Sequence, residues 1–243
     1  MNAPSSCSAM VWALYKKEAR AFFATPAAYI VSVVFLLITG YLFASPLFII
    51  GQASLESFTG LAPLLLTFFV PAVTMRLFSE EHKSGTLELL LTLPARDREL
   101  VLSKFLAALS VVWSTLTLTL AYPAAVGALG GLDGGAVLGT YLALGFSTAL
   151  MAAIGLFASA MTRNQIVAFI IAFLACFFLY AVGKLETLAP EGLAPLAHFI
   201  GLDSHFDSMA RGVLDTRDLL YYASGTGLFL HLAQVRLWRA RLG

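Results

Sequence analysis

The chain has 243 residues, of which 59% are hydrophobic and 12% charged, with a formal net charge of +1. A soluble domain carries about twice that share of charge, and a nucleic-acid binder needs a strong positive field. The composition therefore excludes an ordinary soluble enzyme, a disordered chain and a nucleic-acid partner, and describes an integral membrane protein whose first partner is the lipid bilayer.

In chain order, residues 1–9 are polar and hold no basic residue. The first apolar run is too long and wrongly flanked for a cleaved signal, and Met10 is an alternative start. Residues 10–23 place Trp12, Tyr15, Ala19 and Phe22 three or four apart, opposite Lys16, Lys17 and Arg20. That pattern predicts a helix lying in the cytoplasmic interface; an ordinary juxtamembrane flank is the plainer alternative. Cys7 lies in the polar tail and Cys176 inside an apolar run, so the pair is neither a disulfide framework nor a metal cluster.

A spanning helix needs about 20 mostly apolar residues. Six stretches qualify: 27–50, 57–75, 105–132, 134–162, 164–183 and 219–238, the last extended past a snorkelling Arg236. No period-two strands of barrel length occur, so the class is all-α, with six transmembrane helices. Twelve of the fifteen Lys and Arg fall on one side of this layout; only Lys184, Arg211 and Arg217 fall on the other. The bias puts both termini in the cytoplasm.

Two segments between spans carry the remaining information. The cytoplasmic loop 79–98 holds an acidic pair, Glu80 and Glu81, and a break at Ser84-Gly85. Beyond it a short helix is predicted, with Thr86 as cap, Glu88 in the first turn, Leu87, Leu90 and Leu91 on one face, and Pro94 as the stop. Two turns are not stable alone, so this helix either folds back on the bilayer or docks in a groove of a cytoplasmic protein, with Glu80, Glu81, Arg96 and Arg98 at the rim. The outer segment 184–217 is too apolar for a solvated loop. Short helices dipping into or lying on the outer membrane face are expected there.

Catalytic and nucleotide-binding signatures are missing. No G-x-x-x-x-G-K-[ST] loop occurs, and the glycines of 127–135 read as a turn. His198 and His205 share the outer segment with Asp203 and Asp207, but solvated histidines are the default over a metal site. Ser147 with His231 would be the one conceivable intramembrane nucleophile pair; a serine in a span more often bonds a neighbouring helix. The spans hold no ion-binding charge at depth, which disfavours ion-coupled transport and suggests that energy enters from outside the membrane part. In the fourth span Gly145, Ala149 and Ala153 form a small-residue stripe for helix packing, within the subunit or at a dimer seam. Ser114, Thr115, Thr117 and Thr119 either line a path or bond to backbone.

The run Pro71-Ala72-Val73-Thr74-Met75-Arg76, Ser79-Glu80-Glu81, Ser84-Gly85-Thr86-Leu87-Glu88-Leu89-Leu90, Leu93-Pro94 and Lys104-Phe105-Leu106 resembles the permease subunits of type-2 ABC exporters. Together with His205-Phe206-Asp207-Ser208, Arg211-Gly212 and Asp215–Asp218, it looks most similar to the gliding-motility-associated branch. The resemblance implies a membrane-spanning exporter subunit in the cytoplasmic membrane, paired with an identical or related second permease. Two cytoplasmic P-loop ATPase subunits would bind the pair and carry ATP and Mg, with no cofactor on this chain. It makes the segment around Gly85–Pro94 the coupling helix, the N-terminal helix a connecting element, and the outer segment a set of re-entrant helices closing the exit. The alternatives are a non-transporting membrane anchor that recruits a cytoplasmic complex, an ion-coupled secondary transporter, and an intramembrane enzyme. Nothing in the sequence names the substrate.

Overall fold

The computed structural model describes residues 7–49, 56–92, 95–129, 134–186 and 194–242. Every regular element among them is a helix: α1 (Cys7–Phe23), α2 (Pro26–Ile49), α3 (Glu56–Thr74), α4 (Ser79–Ser84), α5 (Thr86–Leu91), α6 (Asp97–Leu118), α7 (Ala121–Leu129), α8 (Gly134–Met161), α9 (Gln165–Leu185), α10 (Ala194–Ile200), α11 (Leu202–Ala210) and α12 (Thr216–Leu242). Pro94 and residues 130–133 and 187–193 lie outside the described residues; of the turn expected over 127–135, Gly127 is helical in α7 and Gly134 and Gly135 are helical in α8.

Five helical stretches among the described residues are long and apolar enough to cross a bilayer: Pro26–Ser45, Phe58–Ser84, Asp97–Ala128, Gly134–Met161 and Gln165–Leu185. The sixth stretch expected, 219–238, is helical within α12 but does not reach the same apolarity. Ser224, Thr226, His231, Gln234 and Arg236 dilute it. The third span also differs from expectation. Its helix starts at Asp97, eight residues before the predicted 105, because the charges there are satisfied within the fold. The Glu99 carboxylate accepts from the Arg96 N–H (3.0 Å), and Asp97 pairs with Arg241 of α12 (2.8 Å).

α8 is the centre of the bundle. It packs against α3, α6, α9, α11 and α12, and its spanning stretch is 72% buried, whereas α2 (22%) and α9 (28%) are peripheral. Small side chains explain this. Ala143, Ser147, Ala152, Ala153 and Ser159 are all fully buried and let neighbouring helices approach closely, which in lipid is the main source of helix association. The tightest approaches are at two glycines. A Cβ on Gly155 would collide with the Thr74 hydroxyl, and one on Gly139 with the Met209 carbonyl.

Most hydroxyls along the spans bond carbonyls of their own helices. Thr74 donates to the Val70 carbonyl (3.0 Å) and Ser147 to that of Leu144 (3.1 Å). Ser114, Thr115, Thr117 and Thr119 all bond backbone carbonyls three or four residues back, and Thr117 also lines a hollow between α6 and α8. α6 yields to α7 because Pro123 has no N–H for the Thr119 carbonyl; the Tyr122 N–H takes it instead (2.9 Å). The Tyr122 ring then stacks on Phe43 of α2 (4.9 Å).

At the opposite end from α1, α11 is wedged among α8, α9 and α12, with Leu202, Phe206 and Met209 buried. A Cβ on Gly201, just before α11, would collide with the backbone of Gly183 in α9, and one on Gly183 would crowd Asp203.

Gly155→Ala is expected to destabilise the bundle by about 1–3 kcal/mol, the usual cost of overpacking. Adding Thr74→Ala removes the colliding hydroxyl and is expected to restore part of the loss, read as the thermal midpoint in detergent.

Candidate functional site at the basic end of the bundle

The N-terminal helix, the loop after α3, the start of α6 and the end of α12 meet at one end of the bundle, and they carry eleven of the twelve basic residues on that side. Their junction is Lys104, about two turns into an α6 that begins with Asp97. The side chain is 2% exposed, and its ammonium donates to Glu18 Oε2 of α1 (3.0 Å) and to Glu81 Oε1 of α4 (2.8 Å). It also lies over the Phe78 ring, 5.2 Å from the centroid. One cation thus ties three helices together. A cleft of about 290 Å³ opens beside it, lined by Lys17, Phe22, Arg76, Glu80 and Thr86 among others.

The turn from α3 into α4 is held from the centre of the bundle. The Ser159 hydroxyl of α8 accepts from the backbone N–H groups of Phe78 (2.9 Å) and Ser79 (3.0 Å) and donates to the Met75 carbonyl (3.0 Å). Those groups have no helical partners at such a break, so one serine satisfies three of them. Gly85 then separates α4 from α5 with φ +71°, a left-handed conformation that glycine adopts without strain.

The sequence-predicted site residues fall as follows. The cap assigned to Thr86 is a correction: Gly85 occupies the cap position, and the Thr86 hydroxyl pairs with that of Ser84 (2.8 Å). The exposed leucine face is a second correction. Leu87 and Leu90 turn inward and are buried, because a two-turn helix in contact with the bundle covers its apolar face there. The leucine offered outward is Leu89, 69% exposed, with Thr86 and Glu88 exposed before it in the chain. Leu91 closes α5. Of the acidic pair, Glu80 is exposed, whereas Glu81 is occupied by Lys104 and is no rim residue.

On α1 the buried line is Leu14, Glu18 and Phe22, at four-residue spacing and packed on α6, rather than the full aromatic stripe. Tyr15 and Ala19 flank it, half-buried, while Trp12 is 56% exposed and stacks on Tyr15 (5.1 Å). Lys16 is not opposite Trp12 but over its ring (5.1 Å), as expected for an i, i+4 pair. Lys17 and Arg20 are exposed, and the Arg76 guanidinium lies over Phe22 (4.6 Å). Of the small-residue stripe, Ala153 is buried, but Gly145 and Ala149 are half-buried beside an open hollow.

Sequence reasoning missed Glu18, Lys104 and Ser159. A signal existed for the first: a carboxylate inside the Leu14–Phe22 apolar line needs a buried cation. Lys104 and Ser159 gave none, because their partners are distant in the chain.

The other end holds a second polar cluster. Asp203 pairs with Lys184 (2.6 Å), and the His205 Nδ1–H donates to Asp218 (2.7 Å) with the imidazole stacked on Tyr221 (4.1 Å). Ser204 donates to Glu186 (2.6 Å), a bond that holds this carboxylate below its usual range. These residues consume one another, and no group of three or more metal-ligating side chains occurs among the described residues. Ser147 bonds the Leu144 carbonyl and His231 is exposed, so the two are not brought together as a nucleophile and base.

An all-helical bundle with five apolar crossings and a charged, interlocked end defines a multi-pass membrane protein. The sequence model of the ABC-2 family transporter proteins matches residues 50–211, about two thirds of the chain. The chain belongs to that family, which is a membrane component of transport and not itself catalytic. Comparison with curated proteins returned no match.

Lys104→Met leaves Glu81 without its ion-pair partner and Glu18 with only the exposed Lys17 (3.7 Å), and is expected to cost about 3–5 kcal/mol, the usual loss when one member of a buried ionic group is removed. The triple variant with Glu18→Gln and Glu81→Gln is expected to recover most of it. Thermal unfolding of the purified protein reads both.

Proposed function

We propose that the chain is the membrane-spanning permease subunit of an ATP-binding-cassette exporter, driven by a separate cytoplasmic ATPase. In this reading α12 is a sixth crossing, both termini are cytoplasmic, and the chain pairs with a second permease. The observation that carries it is the Lys104 junction: α4 and α5 are fastened to α1 and α6, so a push on α5 moves the N-terminal helix and a spanning helix together. The docking surface is the outward face of α5, with Leu89 as the apolar anchor and Glu80, Lys83, Glu88, Arg96 and Arg98 as exposed rim charges. ATP and Mg reside on the partner. Closure of two ATPases displaces the α5 elements, and the paired membrane halves rock between inward- and outward-open states. α11 sits at the exit and shuts it. The nearer likeness to gliding-motility-associated permeases rests on residues 205–218, and motility itself does not follow from it.

The alternatives separate cleanly. An anchor would hold its complex without ATP-dependent transport, and an ion-coupled transporter would work after ATP depletion.

Leu89→Asp is expected to reduce co-purification of the ATPase at least about tenfold, since a buried interface anchor contributes 1.4 kcal/mol or more. The variant leaves the core intact, because Leu89 touches solvent. Unchanged co-purification would remove α5 from the docking role. In a Cys7→Ser/Cys176→Ser background, a cysteine at Glu88 is expected to react with an impermeant maleimide only after the cells are opened, and one at Asp215 in intact cells.

A further inference from the structure

Two apolar hollows lie along the outer side of α6. The first, about 320 Å³, is bordered by Trp12 and Tyr15 of α1 and by Leu106 and Trp113. The second, about 510 Å³, runs between α6 and α8 past Leu120, Leu138, Gly145 and Ala149. They meet at Leu109 and Trp113, which line both. From Leu106 to Leu118 α6 rises about 18 Å, the reach of a long acyl chain.

The groove asks for no polar ligand. Its lining is mostly aliphatic and aromatic, and three of its hydroxyls are bonded inside the fold: Ser110 to the Ala107 carbonyl (2.7 Å), Thr117 to that of Ser114 (2.7 Å), and the Tyr141 hydroxyl to Thr119 (3.0 Å). Its width comes from Gly145 and Ala149, since a larger side chain at either would fill it. The open end at Trp12 is cationic. Lys16 lies directly over the Trp12 ring, and Arg20 is one turn further along the same face of α1, also exposed. The acid of this helix, Glu18, is turned away toward Lys104. An apolar channel of acyl length, with exposed cations at the end where the charged loops gather, has the two-part chemistry of an anionic lipid.

We propose that this groove is a binding site for an anionic membrane phospholipid, its headgroup phosphate held at Lys16 and Arg20 and one acyl chain lying along α6 over Gly145. The site is independent of the transport reading, because it needs only the bilayer. It lies apart from α5, so loss of lipid binding and loss of ATPase docking are separable.

The test uses the full chain carrying Trp12→Phe and Trp238→Phe, which leaves Trp113 as the one tryptophan. It is reconstituted in phosphatidylcholine vesicles doped with brominated phosphatidylglycerol or, at equal mole fraction, brominated phosphatidylcholine. Preferential quenching of Trp113 by the anionic lipid is expected. Each of Lys16→Gln and Arg20→Gln is expected to lower that preference about fivefold, the usual effect of one basic residue at an anionic surface. Gly145→Leu is expected to abolish the preference, while Gly227→Leu, at a position with open space on α12, leaves it unchanged. Equal quenching by both lipids, or a preference that survives Gly145→Leu, overturns the proposal. So does a Trp113 shielded from both lipids, which would mean that protein covers the groove.

Discussion

A lysine ammonium held at 2% exposure must be met by charge, or the fold that buries it fails. Lys104 is met twice, from α1 and from α4, and the consequences spread outward. An N-terminal helix that could otherwise drift in the interface is fixed against α6. A loop that could otherwise be solvated is fastened to the same point. α6 itself begins early, because its first turn is drawn into the same charged layer through Asp97, Glu99 and Arg241. The basic end of the molecule is therefore one mechanical unit rather than four adjacent segments.

Below that layer the construction changes character. α8 holds the bundle together through absence of bulk: Gly139 and Gly155 admit the backbone or hydroxyl of a neighbour where a methyl would not fit. Serine and threonine are spent on the helices' own carbonyls, which lets polar side chains lie at the centre without a solvent path. Ser159 is the exception that joins the two regimes. It is a centre-helix residue that reaches out to hold the break between α3 and α4, and so sets where the charged loop leaves the bundle.

The far end is closed by a different economy. α11 brings Asp203 and His205 into a nearly dry environment, and each is met by a partner from a flanking helix, Lys184 or Asp218. Tyr221 and Tyr222 of α12 donate to the Ile200 and Leu202 carbonyls around the joint between α10 and α11. Acids and histidines that look like a ligand set in the chain are thus the fasteners of a wedge.

What could be read from the chain alone followed from periodicity and composition. The all-helical class, the five apolar crossings, the break at Gly85 and the inequality of charge between the two ends are local or additive properties, and each is visible in a window of residues. The direction in which a side chain points was not legible. Leu87 and Leu90 were expected outside and are inside, Leu89 is the reverse, and Glu81 was expected at a rim and is occupied by Lys104. A two-turn helix has too few residues for its pattern to say which face meets the bundle. The partner of Lys104 at Glu18 lies 86 residues away, and that of Ser159 at Phe78 lies 81 away. Hydrophobicity along the chain determined which segments enter the membrane; only packing, which brings distant charges within 3 Å and lets them neutralise one another, decided how the ends of those segments lock together.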